Sequence, residues 1–147
     1  MQLYADHGVR FHYPDDWSLA EDRLEAGVCI TVAGEGTSFW SISLYEERPR
    51  PEDVIDSAVE AFREEYDELD AYSVEARLAG VPNAARDLEF VCLDVLNTAC
   101  LRSFPAADAT AFVLYQGSDR DLEETREALE RISASLVCDV PEGPGET

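Results

Sequence analysis

The chain has 147 residues, with 32 acidic side chains against 11 basic ones and a formal net charge of −21. Every basic residue is an arginine, so lysine chemistry such as a Schiff base or a P-loop lysine is excluded. No basic stripe exists to release counterions from a phosphate backbone or to meet an anionic membrane, and the 46 % hydrophobic fraction is that of a single folded domain.

Met1 to Asp6 has neither the basic nor the apolar part of a secretory leader. No run reaches the roughly 18 apolar residues of a membrane span. The expectation is a cytoplasmic protein with reduced cysteines, and none of the 4 lies in a C-x-x-C pair.

Val9-Arg10-Phe11-His12-Tyr13 alternates at period two and predicts a short strand stopped by Pro14. Pro14-Asp15-Asp16-Trp17 predicts a turn, with Ser18 to Glu21 returning as the second arm of a hairpin. Ala26 to Ala33 and Phe39 to Glu46 predict two antiparallel strands joined at Gly34-Glu35-Gly36-Thr37. Trp40, Ile42 and Leu44 share one face and read as core. Gly34-x-Gly36 lacks the third glycine and the following helix of a nucleotide loop, so it reads as a turn.

Pro51 suits a first helical position, with Glu52 and Asp53 behind it at the positive end of the macrodipole. Val54, Ile55, Ala58, Val59, Phe62, Tyr66 and Leu69 form one apolar stripe opposite an acidic face. Four further strands are predicted: Tyr72 to Leu78, Arg86 to Val95, Thr98 to Phe104 and Thr110 to Gln116. A turn is expected at Gly80-Val81-Pro82-Asn83. Phe90-Val91-Cys92-Leu93 and Ala111-Phe112-Val113-Leu114-Tyr115 are apolar at successive positions, which predicts cover on both sides of the sheet. A hairpin turning about Leu96 would set Cys92 opposite Cys100. Ser118 with Asp121 resembles a capping box, and Leu122, Thr125, Leu129, Ile132, Leu136 and Val137 continue as a helical stripe. Residues 1–138 are read as one domain and 139–147 as a disordered acidic tail.

Gly8-Val9-Arg10-Phe11-His12-Tyr13-Pro14-Asp15-Asp16-Trp17 and the closing Ile132-Ser133-Ala134-Ser135-Leu136 resemble the PsbP-like superfamily. That superfamily includes the extrinsic photosystem II protein, the Mog-type Ran-binding import factor and small bacterial relatives. The resemblance implies an α+β, three-layer α/β/α sandwich: an antiparallel sheet of about seven strands with one helix on each face. It implies a binding or assembly protein rather than an enzyme.

No catalytic, cofactor or metal motif emerges from the residues. His7 and His12, with Asp6, Asp15 and Asp16, lack metal-ligand spacing and read as surface residues. Cys29 and Cys92 sit in apolar runs and read as small buried hydrophobes. Arg48 and Arg50 form a local cationic excess at the helix start, and Trp17 is read as a packing corner; these three are the candidate partner-binding residues. The expected function is non-catalytic recognition of another protein, through a basic or amphipathic segment steered by the acidic surface. The alternative is a small-molecule pocket or an enzyme site near Trp17, His12 and Tyr13.

Overall fold

The long strands of this chain carry two apolar sets of opposite parity, and each set meets a different helix. The computed structural model describes residues 1–106 and 108–139. In chain order the elements are β1 (Gln2–Asp6), β2 (Val9–Tyr13), β3 (Ser18–Leu24), β4 (Gly27–Ala33), β5 (Phe39–Tyr45) and α1 (Pro51–Glu65). After α1 come β6 (Leu69–Ser73), β7 (Ala76–Leu78), β8 (Val81–Cys92), β9 (Val95–Pro105), β10 (Thr110–Ser118), α2 (Asp119–Ser135) and β11 (Val137–Cys138). Among the described residues the main antiparallel sheet has eight strands, in the order β3-β4-β5-β10-β9-β8-β6 with β7 also paired to β8. A second sheet of three strands, β1-β2-β11, stands apart from it. The fold is therefore a mostly-sheet α+β fold, richer by one strand and one small sheet than the seven-strand expectation.

Ile55 of α1 packs with Leu88, Phe90, Ala99 and Leu101. The neighbouring positions of β10 and β5, Ala111, Val113, Trp40 and Ile42, pack with Leu122, Leu129 and Ile132 of α2. Phe11 of β2 joins this second cluster, with its ring 4.7 Å from that of Trp40 and 5.1 Å from that of Tyr4. The small sheet is thus a buttress on the α2 cluster, built from the parity that buries Val9 and Phe11.

Several expectations are corrected. The chain turns at residues 14–17, with Trp17 N–H donating to the Pro14 carbonyl at 3.1 Å, but it leaves β2 rather than folding back on it. Ser18–Leu24 pairs with β4, and the partner of β2 is β1. β1 escapes the pattern because its side chains, Leu3 among them, are mostly exposed, with only Tyr4 turned to the aromatic stack. Helix α1 ends at Glu65 with Leu69 already in β6, and α2 ends at Ser135 with Val137 already in β11. The expected strand from Tyr72 to Leu78 breaks into β6 and β7. The turn after it is tighter than expected: Ala79 and Gly80 take the left-handed conformation, with φ of 52° and 79°. Pro82 lies inside β8, opposite Arg77, before the β9 ladder starts at Ala84, so its missing N–H costs no bond there.

The β8–β9 hairpin turns at Leu93-Asp94, with φ of 52° and 64°, not at Leu96. Cys92 then faces Val95 while Cys100 faces Asp87. Cys92 packs beside the α1 cluster and Cys100 lies on the opposite parity, so the two do not meet, and all four cysteines are free thiols. Leu93 is a turn residue, 92 % exposed, not the covered strand position its apolar run suggests. Of the acidic tail, residues 140–147 lie outside the described residues.

Candidate functional site

The residues singled out by sequence do not converge. Arg48 has a left-handed φ of 54°, and Arg50 is the N-cap of α1 without a side-chain cap bond. Both are exposed, and neither forms an ion pair among the described residues. Trp17 packs half-buried on the α2 cluster with its ring against Gly34, where a Cβ would stand 2.7 Å from Trp17 Cε2. That contact explains the glycine better than any phosphate loop does. The His12 N–H donates to Ser135 Oγ at 2.9 Å, a tie between β2 and the end of α2. Among the described residues, none of the five principal cavities is lined by Trp17, His12, Tyr13, Arg48 or Arg50. His7 finds a partner that the spacing did not suggest: its Nε2 is 2.8 Å from Glu21 Oε1 and 3.8 Å from Asp6 Oδ2. This exposed trio includes neither His12 nor Asp15 nor Asp16.

A site forms instead where α2, packed on β10 and β9, falls short of β8. Strand register places Asp87, Cys100 and Tyr115 side by side across β8, β9 and β10. Arg102 stands one step along β9 on the same face, and Thr98 one step the other way. The Arg102 side chain is only 10 % exposed and pairs with Asp87 Oδ1 at 2.8 Å. Its Nη1 also donates to the Leu101 carbonyl at 3.0 Å and to the Arg86 carbonyl at 3.3 Å. Leu122, Arg126, Leu129 and Glu130 of α2 form the opposite wall.

Two cavities meet here. The inner one, about 230 Å³, is lined by Cys100, Arg102, Tyr115 and Gln116. The outer one, about 790 Å³, runs along α2 and carries Asp87, Glu89, Asp119, Glu123, Glu127 and Glu130 against one cation, Arg126. Asp87, Thr98, Leu122, Arg126 and Glu130 line both, so the two form one continuous cleft.

The floor is chemically quiet. Burial, then the nearby Asp87 carboxylate, pushes the Cys100 thiol up to about 11. Burial likewise raises the Tyr115 phenol, with Cys100 as the next cause. Burial works against the Arg102 charge, but the hydrogen bond to Asp87 and the other nearby groups outweigh it and raise its pKa. At neutral pH the floor is a protonated thiol, a protonated phenol and a charged arginine paired with Asp87. A nucleophilic cysteine needs the reverse shift.

One signal could have found this floor. In β8 and β9, Asp87, Glu89, Thr98, Cys100 and Arg102 alternate with Leu88, Phe90, Ala99 and Leu101. One parity is polar inside strands whose other parity is core, which marks an incompletely covered face. Helical wall residues carry no such mark, because Glu123, Glu127 and Glu130 look like any solvated helix face.

No protein-family model and no curated protein matches the chain. Solved structures do resemble it. LpqN of Mycobacterium tuberculosis, described as involved in cell envelope biogenesis, superposes with a TM-score of 0.55 at 15 % identity, over 92 % of this chain and 87 % of LpqN. PA94 of Pseudomonas aeruginosa, a protein of unknown function described as a putative regulator, gives 0.55 at 16 % identity, over 97 % and 98 %. A Bacteroides thetaiotaomicron structure gives 0.56 at 14 % identity over 95 % of this chain, which spans 47 % of that one. At such identities the likeness is one of fold. It places the chain in an α+β fold class that is shared by bacterial proteins of diverse description.

Proposed function

We propose that this is a non-catalytic binding domain that docks a basic or amphipathic segment of another protein in the α2 cleft. The observation that carries the reading is the outer cavity, where six carboxylates line about 790 Å³ against one arginine and Leu122 supplies an apolar contact. Acidic rims of this kind steer a cationic partner and select its sign, while the apolar contact holds its other face. The net charge of −21 extends that steering over the whole surface. The PsbP-like kinship, the three-layer arrangement with a helix on each face and the cytoplasmic setting belong to the same proposal. The alternate parity of the two core clusters supports the layering. Among the described residues, no helix is long and apolar enough to cross a membrane.

The test is a fluorescence titration with an arginine-rich amphipathic peptide and with its glutamate-rich counterpart. The basic peptide binds and weakens as salt rises, and the acidic one does not bind. Reversal of the exposed wall by Glu123→Arg, Glu127→Arg and Glu130→Arg together weakens the basic peptide by about tenfold or more. Equal binding by wild type and the triple variant overturns the reading.

A further inference from the structure

The inner cavity has a donor edge that the protein leaves unused. A guanidinium carries five N–H donors in a planar fork. The hydrogen bonds of Arg102 to Asp87, Leu101 and Arg86 all leave from Nη1. Its Nε and Nη2 have no protein acceptor among the described residues, although the side chain is nine-tenths buried. That edge is not sealed from solvent, so it opens on the cavity that Arg102 lines, where a bound acceptor can take the place of water.

The surroundings select the acceptor. Two arginines, Arg102 and Arg126, stand against two carboxylates, Asp87 and Glu130, so the lining is formally neutral in a molecule of −21. Asp87 is already committed to Arg102, and Arg126 makes no ion pair among the described residues. The protonated Tyr115 hydroxyl and the Gln116 amide add neutral donors. A dianion such as phosphate would meet about twice the repulsion from the acidic wall that a monoanion meets.

We propose that the inner cavity binds a carboxylate, received on the Nε and Nη2 edge of Arg102 with Arg126 closing over it. The carboxylate belongs either to a small free acid or to the C-terminus of a docked chain. The inference stands apart from the docking reading, because it rests on the donors of the inner cavity rather than on the acids of the outer one.

The first arm titrates propionate, with propionamide as its neutral isostere, while the amide signals of Thr98 to Arg102 are followed by NMR. Propionate produces a saturable shift there and propionamide does not. Arg126→Gln, on the exposed side of α2, weakens propionate several-fold without disturbing the core, and Arg102→Gln abolishes the response where that variant folds. Salt separates this site from the outer cleft. Screening of the net negative charge preserves or strengthens propionate binding, whereas it weakens a basic peptide. The second arm compares a basic peptide carrying a free C-terminal carboxylate with the same peptide amidated. A preference of at least about tenfold for the free acid, lost in Arg126→Gln, assigns the pocket to a docked chain end. Equal peptide affinities with a propionate shift assign it to a free acid. Identical responses to propionate and propionamide, or no saturable shift with either propionate or the free-acid peptide, overturn the proposal.

Discussion

Trp40 shows how one buried polar atom is satisfied at a distance. Its ring is fully buried, and its Nε1–H donates to Ser133 Oγ on α2 at 2.9 Å. Ser133→Ala removes the acceptor and strands the donor, so it costs about 1–3 kcal/mol in urea unfolding, with a matching change in tryptophan emission. The thiols act through pH. Burial holds Cys100 and Cys138 at about 11 in the folded protein, against an ordinary value of 9.0. Below the ordinary value both states keep the proton and the thiols do not affect stability. As pH rises from about 9 toward about 11 only the unfolded chain ionises, so stability falls. The double variant Cys100→Ala and Cys138→Ala flattens that alkaline decline relative to wild type, which unfolding midpoints at stepped pH measure. Both thiols also alkylate slowly at neutral pH, since little thiolate is present.

At the scale of the element, the start of α2 joins helix to sheet. Ser118 Oγ accepts the Asp121 N–H at 3.2 Å, so Ser118→Ala costs about 1 kcal/mol. Asp121 Oδ2 accepts from both the backbone N–H and the hydroxyl of Thr37, which pins the β4–β5 loop to the first turn of the helix. Those two Thr37 bonds hold the Asp121 carboxyl below its ordinary value of 3.8. Its contribution is therefore complete above pH about 4 and is lost as pH falls through the folded value. Wild type is more stable than Asp121→Asn at neutral pH, and the two curves converge in acid. Curves that stay parallel to the acid limit would show that the Thr37 contact carries no charge dependence. The sequence announces half of this device. Ser118 and Asp121 have capping spacing, but Thr37 lies 84 residues away from Asp121 and its role depends on where the hairpin lands.

At the scale of the whole molecule, self-repulsion among 32 acids opposes folding. Few of them are paired: the ion pairs among the described residues include Asp87 with Arg102 and Glu127 with Arg131, both at 2.8 Å. Salt shortens the Debye length from about 10 Å at 0.1 M to about 3 Å at 1 M. The melting temperature therefore rises over that range in chloride, and a flat profile would mean that the unfolded chain is equally relieved. The half-buried Asp87–Arg102 pair is screened less than the exposed Glu127–Arg131 pair. Asp87→Asn should accordingly destabilise at both salt levels, while Glu127→Gln stays nearly neutral at 1 M. Thermal melts of the two variants decide it.

The division between sequence and structure follows the range of the interactions. Strand parity, the Pro51 helix start, the Ser118 cap and the core roles of Trp40 and Ile55 were legible, because each depends on neighbours within a few residues or on hydrophobic period. Strand partners were not. An apolar parity says that a strand is covered, but not by which element, so nothing local in residues 110–118 places β10 between β5 and β9. The cleft inherits that limit. Its floor exists only because register aligns Asp87, Cys100 and Tyr115 across three strands, and its wall only because α2 stops short of β8. Arg48, Arg50 and Trp17 were visible as local oddities of charge and size. The tertiary structure instead assembled a site from side chains that are individually ordinary, since proximity across a sheet is set by long-range pairing and not by the chemistry of any one segment.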